Sequence, residues 1–209
     1  MDITKALVVR QIEDKDIEDI IRISTISFGH PDIPFKREHF ESQLKIFPEG
    51  QFCVEYKGKV VGSCSSIIVN FADYGVQHSF HDIADGGYIR NHNPNGKNLY
   101  GIEVVVDPKF RGLGIGRQLY QARKSLCQQY HLESILFGGR IPHFHKYADQ
   151  MSVEEYVEEV KKGKIYDPVL TFQLRNGFEV IAIMENYLPL DMESLKYATL
   201  MEWKNPEYE

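Results

Sequence analysis

Cysteine is scarce in this sequence: three in 209 residues, Cys53, Cys64 and Cys127. An odd count without a stapling spacing excludes a disulfide framework, and it leaves the thiols as small core residues of a protein in reducing cytoplasm. Long apolar runs are missing too. None approaches the roughly 20 residues of a membrane span, and residues 1–10 mix acids and bases where a signal peptide has an apolar core. A cytoplasmic protein without a membrane partner is the expectation. Positive charge is in deficit, with a net charge of −6, which argues against nucleic acid as a partner. No internal repeat, low-complexity tract or Pro/Gly/Ser-rich linker divides the chain. One domain over residues 1–209 is expected, and 43% hydrophobic residues suffice to give it a sizeable core.

Periodicity places the elements. "ALVVRQIE" reads as a strand, and Asp14 then caps a helix, "KDIEDIIRISTISF", with Ile17, Ile20, Ile21 and Ile23 on one face. A second helix, "KREHFESQLKIF", stops before the turn signal "PEG". "QFCVEY" and "VVGSCSSIIVN" flank "KGK" as a hairpin. Residues 71–98, rich in Gly, Asn, His and Asp, read as a long polar insertion rather than a connector. "LYGIEVVV" is apolar enough for a central strand. "ESILFGG" is a strand broken by Gly138 and Gly139. Ser152 and Glu155 form a capping box, and Gly163 ends that helix. "DPVLTFQLRNGF" is a short helix stopped at Gly177, with late strands "EVIAIMENYL" and "YATLMEW". The fold class is α/β (α+β): a mixed, mostly antiparallel sheet of six to seven strands flanked by helices.

The densest signal is "DPKFRGLGIGRQLY", with Gly112, Gly114 and Gly116 at alternate positions between Arg111 and Arg117, just before a helix. A helix start exposes unpartnered N–H groups, and its dipole favours an anion. Glycines let a phosphate come close, and arginines add charge-assisted bonds. Two other phosphate loops are excluded. A Walker A loop needs Lys and Ser/Thr after its last glycine, where Arg117 and Gln118 stand. The dinucleotide loop lacks its third glycine. A glycine-rich packing turn is the alternative.

In these residues the chain resembles the GNAT superfamily of acyl-CoA N-acyltransferases. Arg111, Gly114 and Gly116 fill that family's [QR]-x-x-G-x-[GA] motif, and "LRNGF" is similar to its later signature. "GGRIPHFHKYADQMSVEEYV" and "DPVLTFQLRNGFEV" resemble more closely the GNAT-like domain found fused to nitrilase-type hydrolases. The sequence stops at Glu209, so a hydrolase partner is expected to be absent from this polypeptide.

The resemblance implies a role for each matching residue. Backbone N–H groups of Arg111, Gly112, Leu113, Gly114, Ile115, Gly116 and Arg117 would hold the pyrophosphate of coenzyme A. The pantetheine arm would pair with backbone at Val104 and Val106, with Gly138 and Gly139 as a far wall or as a plain bulge. Acetyl-CoA is then a cosubstrate and no metal is required. An amine acceptor attacks the thioester directly. A lysine-like amine is protonated up to about pH 10.4, so a base must take its proton. Glu103, a carboxylate in an apolar strand, is the candidate, against the alternative of a structural glutamate. Strand alternation puts it opposite Val104. Many family members carry an acid tyrosine four residues before the glycine of the late signature; here Gln173 stands there, beside Phe172. Tyr166, Tyr147 and His145 are possible replacements.

His143 and His145, and His78 and His81, are too few and lack a nearby thiol for zinc. A hydrolase elbow G-x-S-x-G is missing. The expected function is N-acetyl transfer. The alternative is a catalytically silent acyl-CoA sensor or regulatory module, which the absent tyrosine favours. The partner is a small-molecule or peptide amine, with homodimerisation open.

Overall fold

The computed structural model describes residues 6–28 and 32–209. Strand β1 (Leu7–Gln11) leads into helices α1 (Ile17–Ser27) and α2 (Arg37–Ile46). The hairpin β2 (Phe52–Tyr56) and β3 (Lys59–Val69) follows. Its turn works because Lys57 and Gly58 both take positive φ, 51° and 78°, the twist that matches paired strands. Next come the short helix α3 (Phe80–Ala84), β4 (Asn98–Val106), α4 (Ile115–Gln129) and β5 (Ser134–Gly139). Helices α5 (Val153–Lys161) and α6 (Leu170–Arg175) and strands β6 (Glu179–Met184) and β7 (Ala198–Lys204) complete the order. The seven strands form one sheet ordered β1-β2-β3-β4-β5-β7-β6. Every neighbouring pair is antiparallel except β4 and β5.

The two faces of the sheet are covered differently. Ile17, Ile20 and Ile23 of α1 pack with Phe40, Cys53, Val60 and Val105 on one face. Ile115 and Leu119 of α4 pack with Val54, Val61 and Cys64 on the other, and Val104 and Val106 lie against them. All three cysteines are free and buried. Burial pushes the Cys53 and Cys127 thiols up to about 12, so they stay neutral and inert. No helix of the described residues is long and apolar enough to cross a membrane.

Three details differ from the sequence reading. Asp14 does not cap α1. It opens a 3-10 turn, Asp14–Asp16, and Asp16 stands at the cap. The Asp16 carboxylate is occupied instead by the Glu13 N–H at 2.8 Å and the Arg10 guanidinium at 2.6 Å. Strand β5 is not broken by its glycines, since Gly138 and Gly139 pair with Leu200 and Thr199. Residues 71–98 are no open loop. They carry 3-10 turns Phe71–Asp73 and Asp85–Gly87 around α3. Ile83, Ala84 and Ile89 are fully buried, and polar neighbours satisfy the backbone: Asn91 donates to Ile83 O at 2.9 Å and His92 accepts from Ile68 N–H at 3.2 Å. The apolar residues are few, but Ile83, Ala84 and Ile89 reach the core. The Ser152–Glu155 capping box is present as expected.

Candidate functional site

The parallel pair β4–β5 is short. It runs through Asn98↔Ser134, Leu99↔Ile135 and Tyr100↔Leu136, and beyond it the strands part. Residues 101–106 stay paired with β3 and residues 137–139 with β7. The facing edges therefore open as a wedge. A cavity of about 950 Å³ occupies it, lined by Glu103, Val104 and Val106 on one side and Phe137 and Gly138 on the other. A bulge sharpens the opening: Ser65 faces Glu103 and Ser66 faces Gly101, so Ile102 is the extra residue of β4. Arg123 of α4, buried, holds this bulge. It donates to Ser66 Oγ (3.0 Å), Ser65 O (2.9 Å) and Glu103 O (3.0 Å).

The glycine loop forms the rim. Asp107, buried, accepts from Lys109 N–H at 3.0 Å and from Arg22 at 3.1 Å, and so fixes the turn that leaves β4. Gly112 and Gly114 have φ of 81° and 77°, the left-handed region where a side chain is strained. Gly114 is the N-cap of α4 and offers no capping side chain, and no acidic residue stands in the first turn. The first N–H of this stretch to donate along the helix is that of Gln118, to Gly114 O at 3.0 Å. Among the described residues, the N–H groups of residues 112–117 make no backbone bond outside the helix. They form a row of donors at a helix N-terminus, the arrangement that attracts an anion. Arg111, Gly112, Gly114, Ile115, Gly116 and Arg117 line the cavity. Leu113 packs instead beside Ile115 and Leu119. Gly116 has a packing reason of its own. A Cβ there would meet the Phe172 ring at 2.8 Å, so its bareness lets α6 close on α4.

Glu103 sits inside the wedge, buried at 8% exposure. It faces α1, opposite Val104, as strand alternation requires. Ser24, on the buried face of α1 one turn after Ile20, donates to its Oε1 at 3.1 Å. Oε2 has no partner. Burial pushes the carboxyl up to about 7, and the Ser24 bond offsets part of that rise. A carboxyl poised near neutrality can accept a proton at physiological pH.

Gln173 of α6 lines the cavity beside Phe172, with its Oε1 buried and unpartnered. It is an amide and cannot supply a proton as a tyrosine does. His143 and His145 line the outer cavity, each with Nδ1 against a carbonyl: Tyr166 O at 3.2 Å and Pro142 O at 2.9 Å. Tyr166 also lines it, whereas Tyr147 packs at a tilt against Tyr156 at 5.5 Å. From residues 71–98, Phe80 reaches the cavity wall. Among the described residues, no group of three or more His, Cys, Asp or Glu is arranged to hold a metal.

Two wall residues escape a reading of the sequence. Arg123 is an ordinary helix residue until the bulge that it fills is known. Tyr187, between β6 and β7, puts its ring where a Cβ of Gly138 would stand. The glycine at 138 was the available signal, but it named no partner.

The wedge, the glycine rim and the α4 N-terminus together form a GNAT-type cleft. The chain belongs to the acetyltransferase (GNAT) family, whose model matches residues 17–143. It is 55% identical over 204 residues to the probable hydrolase YhcX of Bacillus subtilis, covering 98% of this chain and 40% of that protein. It thus spans well under half of that relative. It is 40% identical over 207 residues to the uncharacterized N-acetyltransferase YkwB of the same organism, covering 98% of this chain and 91% of YkwB. Among solved structures, the loading GNATL domain of CurA from Lyngbya majuscula shares the fold with a TM-score of 0.82 at 19% identity, over 95% of this chain and 98% of that one. The GphF GNAT-like decarboxylase in complex with isobutyryl-CoA gives 0.79 at 20% identity, over 95% and 99%. The protein yncA from Salmonella typhimurium, solved with its cofactor acetyl-CoA, gives 0.56 at 17%, over 97% and 95%.

Proposed function

We propose that this chain, acting as one domain over residues 1–209, transfers an acetyl group from acetyl-CoA to an amine by direct attack. The observation that carries the proposal is the row of unspent N–H groups at residues 112–117, opening onto the wedge that holds Glu103. In this reading the loop and its two arginines bind the pyrophosphate. The pantetheine arm lies along the unpaired edge of β4 at Val104 and Val106. Glu103 takes the proton of the incoming ammonium, and the neutral amine attacks the carbonyl carbon. The tetrahedral oxyanion needs a donor in the wedge, a role that a backbone N–H of β4 would fill.

Titration of the protein with acetyl-CoA by calorimetry, followed by release of free thiol with a panel of small and peptide amines, tests this. Binding with thiol release that depends on the amine is expected. Binding without any amine-dependent release removes the transferase reading and leaves a silent acyl-CoA module.

Gln173 favours a second reading, since it removes the usual acid from the leaving-group side. The wedge then handles an acyl-CoA without transferring it to an amine. The fold that it shares with a GNAT-like decarboxylase extends this reading to loss of CO2 from a carboxylated acyl-CoA. Incubation with malonyl-CoA, with acetyl-CoA measured as product, separates the two chemistries.

A further inference from the structure

A line of buried polar side chains runs from the cavity wall into the segment 71–98, and neither reading above uses it. Tyr187 lines the cavity beside Gly138. Its hydroxyl lies 2.9 Å from that of Tyr100 on β4. The Tyr100 hydroxyl lies 2.8 Å from His78 Nε2, and His78 Nδ1 lies 2.8 Å from Gly75 O. All three side chains are buried, with Tyr100 wholly so and His78 at 6% exposure. Aromatic rings seal the line: Phe71 meets His78 edge-on at 5.5 Å and stacks on Tyr100 at 6.5 Å, and Phe80 meets Tyr187 edge-on at 6.1 Å.

Elementary hydrogen-bond chemistry fixes the direction of this line. A carbonyl only accepts, so Nδ1 carries the hydrogen and donates to Gly75 O. In the neutral ring Nε2 is then an acceptor, and Tyr100 donates to it. That hydrogen is spent, so Tyr187 must donate to Tyr100. At the cavity end, the Tyr187 oxygen has no hydrogen to offer; it accepts from the Gly138 N–H and keeps its other lone pair. A proton arriving there moves each hydroxyl hydrogen one place inward and ends on Nε2. The line now points the other way, and Tyr187 offers a hydrogen to the cavity.

We propose that Tyr187, Tyr100 and His78 form a proton shuttle that carries the attacking nitrogen's second proton to the departing sulfur. The proposal rests on the amine-transfer reading above. Two protons must leave an ammonium that becomes an amide. Glu103 takes the first and returns it to solvent. The second remains on nitrogen after the N–C bond forms and the carbonyl electron pair moves to oxygen. It passes to Tyr187 Oη while the Tyr187 and Tyr100 hydrogens step inward and His78 becomes the imidazolium. When the carbonyl re-forms, the C–S bond breaks with its pair on sulfur. The shuttle then reverses and the thiolate takes the hydrogen of Tyr187. The products are amide and thiol, and His78 is neutral again. The shuttle thus fills the place left by Gln173.

The surroundings suit a transient rather than a standing charge. Burial lowers the His78 pKa, and the groups that face it are the Gly75 carbonyl and the Asp82 carboxylate from its own segment, Tyr100 from β4 and Tyr187 from the β6–β7 loop. Burial raises both phenols, so they exchange hydrogens without becoming phenolates.

Tyr187 is the member that meets the reacting atoms; Tyr100 and His78 act through it. Nitrogen-15 NMR of the full-length protein without ligand reads the first requirement. His78 should be the Nδ1–H tautomer at pH 7, with Nε2 unprotonated, and an Nε2–H tautomer would overturn the shuttle whether or not turnover is found. Tyr100→Phe cuts the line but leaves the Tyr187 hydroxyl in place. With an accepted amine, kcat should fall at least about tenfold, as in Tyr187→Phe, with acetyl-CoA affinity unchanged. A proton inventory in H2O/D2O mixtures should be bowed for the native enzyme and straight for Tyr100→Phe. Equal rates and identical inventories for the two proteins would sink the proposal. Acetyl-CoA binding without transfer to any amine would instead remove the transferase reading, and the NMR result would still decide the direction of the line.

Discussion

Ser24 Oγ donates to Glu103 Oε1 at 3.1 Å, while Glu103 Oε2, also buried, has no partner among the described residues. One bond does not repay the burial of a carboxylate, so the carboxyl is pushed up to about 7. The sign follows. Below the unfolded value of about 4.3 both states are protonated and no penalty exists. Between that value and about 7 the folded state binds more protons, and stability falls as pH rises. Glu103→Gln carries no charge, so it should be more stable than the native chain at pH 8, by at most about 4 kcal/mol. The gap should close below pH 4. Urea unfolding at the two pH values measures it, and equal stability at pH 8 contradicts the buried charge.

The same variant tests catalysis. A base is active when deprotonated, so the native rate should rise with pH through about 7. Glu103→Gln should lose that acidic limb, with kcat down by about 10²–10⁴-fold and acetyl-CoA affinity almost unchanged. A retained rate and pH profile would make Glu103 structural.

Gly114→Glu puts a carboxylate among the N–H donors of the rim and strains the backbone at φ 77°. Coenzyme A affinity should vanish. The native protein should gain about 2.7 kcal/mol of stability at a ligand concentration 100 times Kd, and the variant should gain none. Thermal melts with and without coenzyme A decide it; unchanged affinity refutes the phosphate cradle.

Gly116→Ala separates packing from anion binding. Its Cβ would stand 2.8 Å from the Phe172 ring, and overpacking of this kind costs about 1–3 kcal/mol. The melting temperature should fall, and a companion Phe172→Leu should recover most of the loss. No change in Tm would mean that α6 yields freely.

Arg123→Met keeps the apolar stem and removes three bonds that pin the β3–β4 bulge. Bonds to a charged group contribute about 1.5–3 kcal/mol each, so a loss of about 3 kcal/mol or more is expected by urea unfolding. A variant as stable as the native chain would show that the bulge holds without its arginine.

Local chemistry determined much of this protein. The Lys57–Gly58 turn, the Ser152–Glu155 box and the glycine N-terminus of α4 are written within a few neighbouring residues, so a single chain suffices to read them. The opposite faces of Glu103 and Val104 follow from strand alternation. Residues 71–98 were read as a long polar insertion, and its anchoring by Ile83, Ala84 and Ile89 was not legible, because composition averages over a segment and hides the few apolar residues that hold it. Tertiary structure alone decided that Ile102 bulges, that Arg123 fills the gap, that β4 and β5 part after Tyr100, and that Ser24 meets Glu103. It also brought His78, Tyr100 and Tyr187 into one line. These residues come from separate elements and carry no periodic or spacing signal for one another. Their contacts exist only once the sheet has closed, and burial, which sets their proton affinities, belongs to the whole fold.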